Sequence, residues 1–297
     1  MMGQHCEFID PSLVRILREH TVDPGWPLRF VDFEACNVAL PHHPQMRPYE
    51  RVAFQWSCHT VHKNGTLTHA EWINTDREFP NFSFARTLRQ ALGDFGTIYV
   101  WSAFEQTTLK NVLTQIEQWV DRDPREAVRV AQIADVGELE SLADWLNGLL
   151  GHEDEKGRRH SHRIRDLHDL AFRYYFHPDM GGRTSIKVVL PAIWKADPVL
   201  RKHPWFTQYL KIGNDGQPLD PYQALEPLPF GDDGAGEEVV REGTGAIRAY
   251  QDLIFQIDPK PEARAALQHL LLQYCRLDTA AMVMIWMHWS GQKTVVS

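Results

Sequence analysis

Residues 27–34 read Pro27-Leu28-Arg29-Phe30-Val31-Asp32-Phe33-Glu34. Apolar side chains surround two acids here, and successive side chains of a β-strand point to opposite faces of a sheet. A strand over this segment therefore places Asp32 and Glu34 on one face and Val31 and Phe33 on the other. We predict a strand that carries two carboxylates on the same surface of a sheet.

A second acidic signature lies near the other end of the chain, in residues 274–278. The surrounding pattern is helical, and the i, i+4 spacing puts Tyr274 and Asp278 on the same side of a helix. Carboxylate oxygens suit hard cations such as Mg²⁺ or Mn²⁺, and carboxylates from separate elements can hold two such ions about 3.5 to 4 Å apart. The two signatures together predict a metal-dependent nuclease that hydrolyses phosphodiester bonds.

The composition is typical of a globular protein. The chain has 297 residues, of which 43% are hydrophobic and 11% aromatic, so it can build one elaborated domain or two small ones. Its longest apolar tract, residues 279–289, is shorter than the roughly 18 to 20 residues that span a bilayer. The start of the chain lacks the features of a secretion signal. We therefore expect a cytoplasmic protein without a membrane helix, whose four cysteines, which show no CxxC spacing, stay reduced.

Charge is unevenly distributed along the sequence. The net charge of −8 opposes a role in nucleic-acid binding, because phosphate contacts supply most of the non-specific affinity. Residues 156–165, however, hold five lysines and arginines within ten positions. We predict that this basic tract contacts nucleic acid through Arg158, Arg159, Arg163 and Arg165; a solvated loop is the alternative interpretation.

The pattern of elements predicts an N-terminal helical extension, residues 1–26, followed by one catalytic domain, residues 27–297. Prolines and glycines cluster within residues 197–240, which predicts a loop-rich insertion in that domain. The predicted elements are a helix at 10–18, an antiparallel meander of strands at 27–34, 51–61 and 67–73, a helix at 83–92, a strand at 97–101, a helix at 106–120, a mainly helical region at 125–150, a strand at 163–168, and closing helices at 246–255 and 262–289.

Three antiparallel strands, a helix, a strand and a helix, with Asp-x-Glu in the first strand and Tyr-x-x-x-Asp in the last helix, resemble the ribonuclease H-like DnaQ, or DEDD, exonuclease superfamily. Within it, the segments 31–34, 47–49, 54–57, 185–191 and 274–279 are similar to those of an uncharacterised bacterial domain family, over residues 27–289. The resemblance implies an α/β fold with a mixed five-stranded sheet flanked by helices. In larger relatives this domain follows a RecB-type nuclease region, so a partner protein that supplies such a region is also implied.

The superfamily implies stepwise 3′-to-5′ hydrolysis of single-stranded DNA or RNA to nucleoside monophosphates, with two Mg²⁺ or Mn²⁺ ions. Asp32 and Glu34 match its first motif, and Asp278 matches the final aspartate. Tyr274 falls on the residue that positions or deprotonates the attacking water. The alternative branch has a histidine five residues before the final aspartate, where this chain has Gln273, so the tyrosine branch fits better.

The middle motif of the superfamily departs from its usual form. A phenylalanine-aspartate pair is usual after a strand, whereas this chain presents Glu105, which is a candidate metal ligand or a charge that complements the start of a helix. Asp166 lies where related exonucleases end another strand near the site, although structural hydrogen bonding explains it equally well. Lys187 is a candidate phosphate contact, with a solvated lysine as the alternative.

Two other functions compete with the exonuclease. One is a non-catalytic nucleic-acid-binding or assembly module on the same scaffold, since a fold does not guarantee chemistry. The other is a phosphohydrolase for small nucleotides, which suits the negative net charge better. Neither zinc-type Cys/His spacing nor a GxSxG sequence is present to indicate another chemistry.

Overall fold

A computed structural model describes residues 6–41, 43, 46–133, 135–225, 243–255 and 261–292. In chain order its strands and α-helices are β1 (Phe8–Ile9), α1 (Pro11–His20), β2 (Leu28–Asn37), β3 (Arg51–Val61), β4 (Leu67–Ile73), α2 (Asn81–Leu92), β5 (Thr97–Val100), α3 (Phe104–Arg122), α4 (Pro124–Ala131), α5 (Val136–Leu150), β6 (His152–Glu153), β7 (Arg159–His160), β8 (Ile164–Asp166), α6 (Leu167–Tyr174), β9 (Tyr175–Phe176), α7 (Ile186–Ala196), α8 (Pro198–Arg201), α9 (Gly243–Phe255) and α10 (Pro261–Ser290). The strand predicted at 163–168 is shorter, because the Asp166 carboxylate accepts hydrogen bonds from the amides of His168 and Asp169 and starts α6.

Five strands form the central sheet, in the order β4-β3-β2-β5-β8. The strands β2, β3 and β4 are antiparallel neighbours, as the predicted meander requires. The strands β5 and β8 run parallel to β2, since each is reached through a helical crossover. This arrangement confirms the predicted α/β fold, a mixed five-stranded sheet of ribonuclease H-like strand order flanked by helices.

Helices cover the two faces of β2 differently. Phe33 points to one face, where its ring lies 4.9 Å from that of Phe84 on α2. Phe30 points to the opposite face, where its ring lies 6.0 Å from that of Trp286 on α10. By the alternation of strand side chains, Asp32 belongs with Phe30. The acidic face of β2 is therefore the face that α10 covers.

Helix α10 is the central helix of the core. Its residues 280–287 are all buried, at 0 to 4% exposure, and a helix that is apolar on every side is enclosed by its neighbours. Gln55 on β3 fastens it to the sheet by donating from Nε2 to the carbonyl oxygen of Leu271 at 2.8 Å. The buried Leu13 and Leu17 of α1 belong to the same hydrophobic cluster, so the N-terminal extension packs into this core.

The predicted insertion, residues 197–240, is described as far as residue 225, and its remainder lies outside the described residues. Residues 197–225 form α8, a 3₁₀ turn at Thr207–Tyr209 and a single bridge between Ile212 and Pro218, joined by loops. In the described part of the chain, no helix is both long enough and apolar enough to cross a membrane.

Candidate metal centre

Three carboxylates meet where α10 passes over β2. Asp32 and Glu34 come from the strand and Asp278 comes from the helix. One oxygen of each lies within 4.8 Å of the others. Asp278 is buried, at 7% exposure, whereas Asp32 and Glu34 remain partly exposed. The fold thus joins the two acidic signatures, which lie far apart in the sequence.

A fourth carboxylate approaches this cluster from α3. Glu105 stands in the first turn of α3 and is buried, at 3% exposure. Its Oε2 atom is buried without a hydrogen-bond partner among the described residues. Burial raises the pKa of Glu105 to about 8, and repulsion from Asp166 and Asp278 adds to the rise. Glu105 is therefore close enough to Asp166 and Asp278 for their negative charges to disfavour its ionisation.

Asp166 lies at the end of β8, opposite Val100 of β5. Burial raises its pKa, while hydrogen bonds from the amides of His168 and Asp169 oppose the rise. The distances from Asp166 to these two nitrogens are 2.8 and 3.3 Å. Asp166 therefore caps the N-terminus of α6, and it also lies near Glu105.

Burial also raises the pKa values of the three clustered acids. The pKa of Glu34 rises to about 8, with repulsion from Asp278 adding to the effect and the charge of Lys187 opposing it. The pKa of Asp278 rises to about 6. The pKa of Asp32 rises well above its usual range, first from burial and then from repulsion by Asp278, Glu105 and Glu34. The positive charge near the four carboxylates is therefore too small to keep their pKa values in the usual range.

This set of donors fits divalent cations. Carboxylate oxygens are the ligands that Mg²⁺ and Mn²⁺ prefer, and the unpaired Oε2 of Glu105 is a buried acceptor that lacks a donor among the described residues. A buried charge is stable when it is paired or bound to a metal. Asp32, Glu34, Glu105 and Asp278 could therefore hold Mg²⁺ or Mn²⁺.

Tyr274 and Lys187 both stand beside these acids. The Lys187 Nζ atom lies 4.9 Å from the centroid of the Tyr274 ring, a cation–π distance. Lys187 also lowers the pKa of Glu34 and of Asp278 through its charge. Burial raises the pKa of Tyr274, and repulsion from Asp278 and Glu34 adds to the rise. The tyrosine hydroxyl consequently stays protonated at neutral pH.

Two further residues, which the sequence patterns do not indicate as site residues, contact the acids. The Tyr222 hydroxyl, in the insertion, donates to Asp278 Oδ1 at 2.5 Å. The Cys275 thiol, on α10, donates to Asp32 Oδ2 at 3.2 Å. Cys275 could have been found, because it lies between Tyr274 and Asp278 in the helical motif. Tyr222 could not, because it comes from a segment whose sequence predicts loops.

The basic tract, residues 156–165, begins in the β6–β7 hairpin, where its arginines pair with nearby acids. The Arg158 Nη2 atom lies 2.8 Å from Asp154 Oδ2, and the Arg159 Nε atom lies 3.0 Å from Glu153 Oε2. Arg159 also donates to the carbonyl oxygen of Gly151 at 2.9 Å. Both arginines thus have partners within their own hairpin.

Arg163 and Arg165, at the end of the tract, are bound to backbone carbonyls. Arg165 donates to the carbonyl oxygen of Ile164 at 3.0 Å. Arg163 lies three positions before Asp166, roughly 10 Å away along the strand. The structure therefore does not bring the tract into the acidic cluster. The carbonyl acceptors of Arg163 are those of Leu92, Gly93, Phe95 and Gly96, at 2.8 to 3.0 Å.

The chain belongs to the protein family described as Domain of unknown function (DUF2779), whose model matches residues 29–185. This match spans slightly more than half of the chain. It includes Asp32, Glu34, Glu105 and Asp166, while Lys187 and the α10 residues lie beyond it. No curated protein and no solved structure matches the chain.

Proposed function

We propose that this protein is a metal-dependent 3′-to-5′ exonuclease of the DnaQ-like superfamily, in the tyrosine-containing branch. It would release nucleoside monophosphates from single-stranded DNA or RNA in the cytoplasm. The observation that carries the proposal is the convergence of three carboxylates from β2 and α10, with Glu105 of α3 near enough to repel them. Burial raises the pKa values of all four acids. Such a cluster suits two divalent ions better than it suits protons alone.

In this mechanism Asp32, Glu34, Glu105 and Asp278 would hold two Mg²⁺ or Mn²⁺ ions. When bound, the ions would lower the pKa of a water molecule and offset the charge on the departing oxygen. Tyr274, whose pKa is raised by burial, donates a hydrogen bond to the water or to a phosphate oxygen and does not accept its proton. Lys187, beside the Tyr274 ring, offsets negative charge on the phosphate.

A phosphohydrolase for small nucleotides is the second candidate function. It is favoured by the net charge of −8, which weakens attraction to a long polyanion. It is also favoured by the partners of Arg158, Arg159, Arg163 and Arg165, which are acids and carbonyls of the protein itself. A small substrate needs contacts at the metal centre alone.

One experiment separates these functions. The purified protein is incubated with Mn²⁺ and either a 3′-labelled or a 5′-labelled single-stranded oligonucleotide, and in parallel with nucleoside triphosphates. An exonuclease of the proposed polarity releases labelled mononucleotide at once from the 3′ label and gives a ladder from the 5′ label. Hydrolysis of the triphosphates alone identifies the phosphohydrolase, and no hydrolysis by wild type above an Asp278→Asn control identifies a non-catalytic module.

A further inference from the structure

A cleft opens beside the metal centre, between α7 and the insertion. Its volume is about 250 Å³. Three cationic side chains and two carboxylates line it, together with apolar residues of α7. The charged lining residues are Arg183, Lys187, Lys195, Asp179 and Asp220.

The cleft is cationic along one side. Lys187 and Lys195 are eight positions apart on α7, which corresponds to roughly 12 Å along a helix axis. Arg183 precedes the helix and is exposed. Lys195 Nζ lies 2.9 Å from Asp179 Oδ2, but both groups are partly solvated, so this pair is weak. A line of positive charge therefore follows α7 away from the acids.

The start of α7 adds to this positive potential. Its N-cap residue, Ser185, makes no side-chain capping bond, and its first turn contains no acidic residue. The first amides of a helix lack partners within the helix and carry partial positive charge. The helices α6 and α8, by contrast, begin with Asp166 and Asp197, whose carboxylates accept bonds from such amides. The cleft thus lies next to a helix N-terminus whose partial positive charge is not offset by a capping side chain or an acidic residue in the first turn.

The cleft and the metal centre share their boundary. Lys187 belongs to the cleft lining and also lies 4.9 Å from the Tyr274 ring. On the opposite side, Asp220 lines the cleft two positions before Tyr222, whose hydroxyl donates to Asp278. An anionic chain that ends at the carboxylates can therefore continue into the cleft without a break.

We propose that this cleft binds the sugar-phosphate backbone of the substrate strand, with Lys187 and Arg183 at the phosphates nearest the metal centre and Lys195 at a more distant one. The identity of the ligand as a strand rests on the proposed exonuclease function. The positive edge of the cleft explains how a chain of net charge −8 attracts nucleic acid locally while repelling it elsewhere.

The test is equilibrium binding, measured without hydrolysis. A 5′-fluorescein single-stranded 12-mer is titrated in Ca²⁺, which binds carboxylates with looser geometry than Mg²⁺, and anisotropy is followed between 50 and 300 mM NaCl. The Arg183→Ala/Lys195→Ala double variant should bind at least about tenfold more weakly. The slope of log affinity against log salt should fall by up to about 1.4, roughly 0.7 for each phosphate that the variant no longer neutralises.

The matched control is the Arg158→Ala/Arg159→Ala double variant, which removes the same charge from the β6–β7 hairpin. Its salt slope should equal that of wild type. A third variant, Asp179→Asn, releases Lys195 from its ion pair and should strengthen binding by about two- to threefold. An unchanged slope in the cleft variant, with or without a reduced slope in the hairpin variant, overturns the cleft assignment.

The outcomes also separate this inference from the proposed function. Mn²⁺-dependent hydrolysis together with wild-type binding by the cleft variant supports the exonuclease and overturns the cleft. Cleft-dependent binding of the 12-mer without hydrolysis supports the cleft and overturns the exonuclease. If the cleft variant loses affinity for a mononucleotide and keeps its affinity for the 12-mer, the cleft is a site for free nucleotide phosphate and the strand assignment is wrong.

Discussion

Two acidic clusters lie along helix α10, and they differ in how their negative charges are compensated. The second cluster surrounds His288 near the end of the helix. Its ring nitrogens donate to Asp197 Oδ2 at 2.8 Å and to Glu7 Oε1 at 2.7 Å. The Tyr175 hydroxyl donates to the same oxygen of Glu7 at 2.7 Å. Every contact in this cluster joins segments that are distant in sequence.

The pKa shifts of Glu7 and His288 in the second cluster have the directions expected for paired opposite charges. Burial raises the pKa of Glu7, but hydrogen bonds from His288 and Tyr175 outweigh it and the pKa is lowered. Burial lowers the pKa of His288, but its bonds to Glu7 and Asp197 outweigh it and the pKa is raised. The acids and the histidine each stabilise the charged form of the other.

At the candidate metal centre the signs are reversed, since the pKa values of Asp32, Glu34, Glu105 and Asp278 all rise. Lys187 lowers two of them through its charge, whereas the donors Tyr222 and Cys275 are neutral groups. The acids that support the fold are therefore neutralised by side chains of the protein itself. The four acids of the candidate metal centre have too few cationic side chains nearby, so a bound metal ion is their expected partner.

The largest effect should come from removing one ligand. Asp32→Asn or Asp278→Asn should reduce hydrolysis to background, a loss of more than about 10⁴-fold or roughly 5.5 kcal/mol. The variants should stay folded, because each substitution relieves repulsion between buried acids. Turnover and circular dichroism check this; a variant with turnover near that of wild type would show that its carboxylate is not a ligand.

Tyr274→Phe should lower turnover by about 10² to 10³-fold, the range for loss of one hydrogen-bond donor that acts on the transition state. Metal affinity should not change, because the phenol contributes a hydrogen bond and no charge. Single-turnover kinetics with saturating Mn²⁺ measure the effect. An unchanged rate would mean that the tyrosine is a packing residue beneath Lys187.

His288→Ala should destabilise the second cluster. It leaves Glu7 and Asp197 without their cation, and breaking a buried ion pair costs about 3 to 5 kcal/mol of stability. Chemical unfolding measures the loss, while Mn²⁺ affinity should be retained. The control is His160→Ala, since the pair between His160 and Asp154 is exposed and should contribute less than about 1 kcal/mol. Equal losses in the two variants would contradict the network.

Tyr222→Phe should have the smallest effect. It removes the hydroxyl that orients Asp278, and loss of such a supporting hydrogen bond weakens metal binding by about tenfold. Tyr250→Phe is the matched control, because Tyr250 is a buried tyrosine whose hydroxyl bonds Asn74. Calorimetric Mn²⁺ affinities that fall equally in both variants would exclude a specific role for Tyr222.

Much of the fold and part of the site could be predicted from local patterns. The two-residue period of 27–34 and the i, i+4 spacing of Tyr274 and Asp278 both report which side chains share a face. Local patterns also predict the meander and the closing helices, whose bounds differ from the structure by a few residues.

Contacts between distant segments could not be predicted in this way. Glu7 meets His288 across 281 positions, and Tyr222 reaches Asp278 from a loop. The density of charge in the basic tract predicts contacts with nucleic acid, yet Arg163 donates to carbonyl oxygens at the end of α2. A cation's neighbours in space, which decide whether it is available to a ligand, are not visible in composition.

Mn²⁺ calorimetry near pH 7, in buffers of different ionisation enthalpy, measures whether the four carboxylates bind two divalent ions. The pKa values of Glu34 and Glu105 are raised to about 8, so both are largely protonated at pH 7 and must lose protons to bind metal. We expect two Mn²⁺ per chain with net proton release, which becomes smaller as the pH rises above 8. Asp32→Asn should lose this binding. If wild type does not bind Mn²⁺, or if Asp32→Asn binds it as tightly as wild type and without proton release, the four carboxylates are not the proposed metal site.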